Sequence, residues 1–185
     1  MRNREKIKEM VVISSLGAIV AVLQYISMFI KFGPFNITLA LTPVVVGAVL
    51  YGPKAGGILG MVMGIVVLLT NSEAFFVVNP IATIFVCIAK SAIAGIAAGY
   101  ICKIGKNRNT EIVVASIATP IINTLFFSVC CLLFFFPTLR EWAAGENTFI
   151  YLFGTMIGLQ FLVELTINSL LSPIVIRLVE IFKIK

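Results

Sequence analysis

Lys90 stands in the middle of an apolar run, NPIATIFVCIAKSAIAGIAAGY, from Asn79 to Tyr100. A lysine at the centre of a membrane helix costs roughly 2.5–3.5 kcal/mol even on lenient insertion scales, and such residues face a bundle interior or a water-filled cavity with a partner. Lys90 therefore calls for a protein carboxylate or a ligand. Thr83, Cys87 and Lys90 lie at spacings of four and three, on one helix face. Ser116, Thr119 and Asn123 form a second polar face, and Gln160, Glu164 and Asn168 a third, at spacings of three and four. At about 1.5 Å of rise per residue, Lys90 sits roughly 15 Å below the start of its run. Asn123, Gln160 and Glu164 reach a similar mid-membrane depth. Polar groups converging in an otherwise apolar bundle are what a small-ligand pocket requires. The purely structural reading is a Lys90–Glu164 ion pair with the amides satisfying one another. The functional reading has Glu164 partly neutralise Lys90 in the empty protein, with an anionic ligand completing the coordination.

The elements that must position these residues follow from composition. Of 185 residues, 60% are hydrophobic and 12% charged, and the mean hydropathy is +1.10, beyond what soluble domains carry. The reading is an all-α integral membrane protein. A span takes about 20 apolar residues, leaving room for about six short-looped spans in a single membrane domain, 1–185. The expected helices are 8–30, 37–51, 56–70, 80–103, 111–136 and 148–182. The second and third read as a tight hairpin around YGPKAGG, with Gly52 and Pro53 as the turn. The basic start precedes an apolar run too long for a signal peptide, so the first helix is expected to be retained. Lys and Arg cluster before the first span, at Lys54, at 103–108 and at the end. By the positive-inside rule both termini are cytoplasmic, and loops 31–36, 71–79 and 137–147 face outward. The net charge of +6 is then a topological signal, and nucleic acid is not an expected partner.

Gly56, Gly60 and Gly64, and Gly95 with Gly99, let neighbouring helix backbones approach closely. Ser14, Gly17, Ala18 and Ala21 give the first span a similar small-residue face. Cys87, Cys102, Cys130 and Cys131 lack metal-ligand spacing and read as small core residues, with no metal and no cofactor expected. The chain has neither histidine nor aspartate and no G-x-x-x-x-G-K-[ST]. Zinc-protease, Ser-His-Asp and Walker-type chemistries lack their parts, so the chain is not expected to be an enzyme.

The run ITLALTPVVVGAVLYGPKAGGILGMVMGIVVLL, then an outward loop and NPIATIFVCIAKSAIAGIAAGYICK, resembles the substrate-binding S component of an energy-coupling factor (ECF) vitamin transporter. The resemblance covers nearly the whole chain. It implies a vitamin-binding subunit in the bacterial plasma membrane, working with a transmembrane coupling protein and two ATPase subunits. It also implies that the ligand is held by the first outward loop and the outer parts of the fourth to sixth helices. Asn36 and Asn79 thereby join Thr83, Lys90, Asn123, Gln160 and Glu164 as expected binding residues. The family's small-x-x-x-small contact with the coupling protein corresponds to Ser14 and Ala18, with Gly17 and Ala21 beside them; serine replaces the usual alanine. Against the family's pockets, a single tryptophan, Trp142, speaks against thiamine, and the absence of acids over 31–51 against riboflavin. A lysine among amides suits a small anion such as pantothenate, although that branch would carry an arginine near Lys90. Folate, pyridoxine, niacin and a queuosine precursor stay open. The alternative is a stand-alone secondary transporter or channel using Lys90 and Glu164; no inverted repeat supports it.

Overall fold

Proline, glycine and hydroxyl residues set where the apolar helices begin and end. A computed structural model describes residues 2–32, 35–36, 38–104 and 107–183. Helix α1, Arg2–Ser27, starts before the expected 8–30 because Arg, Glu and Lys are good helix formers. It stops at Ser27, whose hydroxyl donates to the Leu23 carbonyl at 2.8 Å and accepts the Leu39 N–H at 3.3 Å. A two-residue antiparallel pair follows, β1 Lys31–Phe32 and β2 Phe35–Asn36. Helix α2, Leu41–Tyr51, begins later than the expected 37. Pro43 fits in its first turn, where no intrahelical N–H is needed, and Thr38 is held instead by Glu164.

Gly52, at φ +84°, makes the turn into α3, Pro53–Asn71, where proline occupies the favoured first position. At 19 residues α3 is longer than the hairpin arm expected and can cross a membrane. The expected loops 71–79 and 137–147 contain the short helices α4, Glu73–Val78, and α7, Phe136–Trp142. Buried Phe75 and Leu139 anchor them. Between these lie α5, Pro80–Ile104, and α6, Arg108–Phe134. The last expected helix, 148–182, is not uniform. It consists of α8, Thr148–Ile150, a π-helical segment, Tyr151–Met156, and α9, Gly158–Lys183. The Ile157 N–H reaches the Leu152 carbonyl at 3.0 Å, an i→i+5 bond. Gly154 and Gly158 weaken the α-helical alternative over this stretch.

Among the described residues, five stretches are long and apolar enough to cross a membrane: Arg4–Ser27, Pro53–Asn71, Pro80–Ile104, Arg108–Phe134 and Thr148–Ile181. Helix α2, with 11 residues, is too short to cross alone. The tightest seam joins α3 to α5. A Cβ on Gly56 would strike the Gly95 carbonyl, and one on Gly60 the Ser91 carbonyl, so the glycine spacing read from the sequence serves packing inside the chain. At one end of the bundle the Lys103 side chain lies beside Gly52, and the Cys102 thiol is 3.8 Å from the Glu111 carbonyl. The polar residues gather towards the other end.

Candidate functional site

The three polar faces meet around a cavity that is partly open to solvent. Thr83, Lys90, Asn123, Gln160 and Glu164 all line it, as the spacing reading requires. Helix α5 supplies Thr83 and Lys90, α6 supplies Asn123, and α9 supplies Gln160 and Glu164. One of the expected residues stands elsewhere. Asn79 is exposed and caps α5, its side-chain oxygen accepting the Ala82 N–H at 3.1 Å. Asn36 lies on β2, and its side chain is outside the described residues.

Glu164 is fully enclosed, 2% exposed, and its carboxylate is satisfied by neutral donors. Its Oε1 accepts the Thr38 N–H and the Gln160 Nε2 amide, each at 3.0 Å, and the Thr38 hydroxyl also bonds the carboxylate. One turn on, Asn168 donates to the Glu164 carbonyl at 2.8 Å and accepts the Thr42 hydroxyl at 3.1 Å. The α9 stripe therefore ties down the segment leading into α2. A buried polar group needs such partners, since leaving one unsatisfied costs roughly 1–3 kcal/mol.

Lys90 is held differently. Its Nζ sits 4.7 Å from the centre of the Phe127 ring, a cation–π contact. Among the described residues no ion pair joins it to Glu164, which corrects the structural pairing considered from the sequence. The two share a cavity and influence each other only at longer range. The half-buried Lys90 side chain thus rests on an aromatic face, with no carboxylate paired to it among the described residues.

Behind Phe127 is an aromatic cluster that sequence reasoning missed. Phe75 packs edge-on against Phe127, Phe135 and Trp142, with ring centres 5.9, 5.0 and 5.3 Å away. Thus α4 and α7 close over the lysine's ring, and Trp142, read as a loop residue, is part of that cover. Gln24 and Thr38 also line the cavity unannounced. Gln24 follows Val20 by one helical turn on the buried side of α1, a signal that was present; Thr38 lies outside any periodic element.

On α1, Leu16, Val20, Gln24 and Ser27 are buried, while Ser14 and Ala18 are exposed on the side away from the bundle. Gly17 and Ala21 are half-buried between the two sides, and a Cβ on Gly17 would lie 3.7 Å from Leu59. The small-residue face therefore divides into an outer pair and an inner pair.

Residues 8–176 match the family described as ECF transporter, substrate-specific component. The chain is 25% identical over 192 residues to the pantothenic acid transporter PanT of Lactococcus lactis subsp. cremoris (strain MG1363), covering 94% of each chain. No solved structure matches the chain.

Proposed function

The chain belongs to the family of ECF transporter substrate-specific components, multi-pass proteins of the bacterial cell membrane, and from that premise we propose that it is the high-affinity vitamin-binding subunit of an ECF-type importer. Its ligand is a small anionic vitamin such as pantothenate. The observation carrying this reading is Lys90, whose ammonium lines the cavity on Phe127 without a carboxylate partner among the described residues. The ligand carboxylate binds Lys90. Hydroxyl and amide groups of the ligand meet Asn123 and Gln160, while Glu164 holds the Thr38 segment against α9. The similarity to a pantothenic acid transporter supports the same choice.

The chain forms a single membrane domain of six spans, α2 with its flanking segment making the shortest, and both termini are cytoplasmic. The end of the bundle carrying Lys54 and Lys103 then faces the cytoplasm, and the cavity lies towards the outside, where a vitamin arrives. Energy comes from two ATPase subunits through a transmembrane coupling protein, since the chain carries no nucleotide motif. The exposed pair Ser14 and Ala18 is the docking face for that protein. Binding of a radiolabelled vitamin panel to the purified subunit, with mass spectrometry of whatever co-purifies, tests the ligand. Reconstitution in liposomes tests the energy source: the subunit alone binds but does not accumulate its vitamin. Uphill uptake by this chain alone, driven by protons or sodium, refutes the ECF coupling.

A further inference from the structure

The cavity's polar groups sort into a satisfied set and an unsatisfied set. On α9, Gln160 donates to Glu164, which also accepts from Thr38. On α1 and α6 the situation is opposite. The side-chain oxygens of Gln24 and Asn123 are sealed from solvent and have no hydrogen-bond partner among the described residues. Gln24 is 1% exposed and Asn123 6%, and both line the cavity that holds Lys90. Buried polar atoms are almost always paired, and each exception asks for a reason. Gln24 is the sharper case. It continues the buried face of Leu16 and Val20 on α1, where an apolar side chain would pack without penalty.

We propose that Gln24 is a ligand-binding residue, and that Gln24 and Asn123 together require the vitamin to bring hydrogen-bond donors, hydroxyl or amide N–H, alongside its negative charge. The charge requirement rests on the reading of Lys90 given above; the donor requirement rests on the two amide oxygens. In the empty site those oxygens stay unpaired, so a ligand that brings donors to them as it settles gains affinity that one without donors does not. A carboxylate with acceptors alone would satisfy Lys90 and leave both amides stranded. A hydroxylated amide acid satisfies all three. Gln24 thereby sets specificity from a helix outside the three whose polar stripes mark the site.

The test measures affinity of the purified full chain for pantothenate and for an analogue with both hydroxyls replaced by hydrogen, in the wild type and in Gln24→Leu. Wild type should bind the deoxy analogue about tenfold more weakly or worse, the worth of one neutral hydrogen bond or more. Gln24→Leu should lose about tenfold for pantothenate and little for the deoxy analogue. The empty variant should melt at or above the wild-type temperature, because a buried unpaired oxygen has gone; a Gln24 with a purely structural role would give the reverse. Gln24→Met gives a second, straight-chain variant, and the wild-type comparison of ligands needs no variant. Equal losses for both ligands, or wild-type binding of nicotinate as tight as that of pantothenate, would overturn the proposal. If instead the uncharged, hydroxylated pyridoxine is the vitamin bound and Gln24→Leu weakens it, the donor requirement stands and the anionic reading of Lys90 falls.

Discussion

Helix α5 belongs to two regions that use the same helical spacing for opposite ends. Towards α3 it presents the Ser91 and Gly95 carbonyls to Gly60 and Gly56, so closely that no side-chain carbon fits between. Towards α6 and α9 it presents Thr83 and Lys90 to the cavity. Small residues every four positions let backbones close and exclude everything else. Polar residues at the same spacing line the space left between α5, α6 and α9. The seam gives the bundle a rigid spine, and the cavity has that spine as one wall. The other walls come mainly from α6 and α9, joined by Phe75 of α4 and Met156 of the π-helical segment.

The sharpest way to break this contrast is to add volume on each side. Gly60→Val should prevent correct folding, since its side chain meets the Ser91 backbone; overpacking costs roughly 1–3 kcal/mol even where side chains can move, and backbone cannot. Gly154→Ala, with nothing within 4 Å of the added carbon, should fold as wild type. Size-exclusion profiles and melting temperatures in detergent decide between them. A smaller effect follows at Glu164. Glu164→Ala strands the Thr38 and Gln160 donors and should cost about 2 kcal/mol of stability, whereas Glu164→Gln keeps an acceptor in place and should cost less than half as much. If both behave alike, the carboxylate's role is not to pin the Thr38 segment. Least of all should happen in the isolated subunit at Ala18→Trp. Ala18 is exposed, so vitamin affinity should stay within about twofold, as for ordinary surface changes, while uptake by the full complex is lost. Parallel loss of binding and uptake would place Ala18 in internal packing.

These residues also mark how far the sequence could be read. Glycine spacing announced the α3–α5 seam because close approach leaves few alternatives to glycine. The polar stripes announced Thr83, Lys90, Asn123, Gln160 and Glu164, because a polar side chain in an apolar span has to find company. Periodicity was silent where no period exists. Thr38 reaches Glu164 from an irregular segment, and the Phe75–Trp142 cover is assembled from α4 and α7, each too short for its pattern to stand out from a loop. The π segment escaped for a related reason: one i→i+5 turn changes no residue's hydropathy. The pairing of Lys90 was misjudged because sequence gives depth along a helix and not distance across the bundle. At equal depth, Glu164 had nearer donors in Thr38 and Gln160.

The central claim is that Lys90 reads the charge of the ligand. It is tested most directly by measuring affinity for pantothenate and for its uncharged alcohol analogue in the wild type and in Lys90→Met. A charge-assisted hydrogen bond is worth roughly 1.5–3 kcal/mol, or about a tenfold to hundredfold change in affinity. Wild type should prefer the acid by that factor, and Lys90→Met should lose the preference while keeping its fold, because no carboxylate in the described chain depends on Lys90 for an ion pair. A variant that binds acid and alcohol as wild type does would contradict the account and move the binding site away from Lys90.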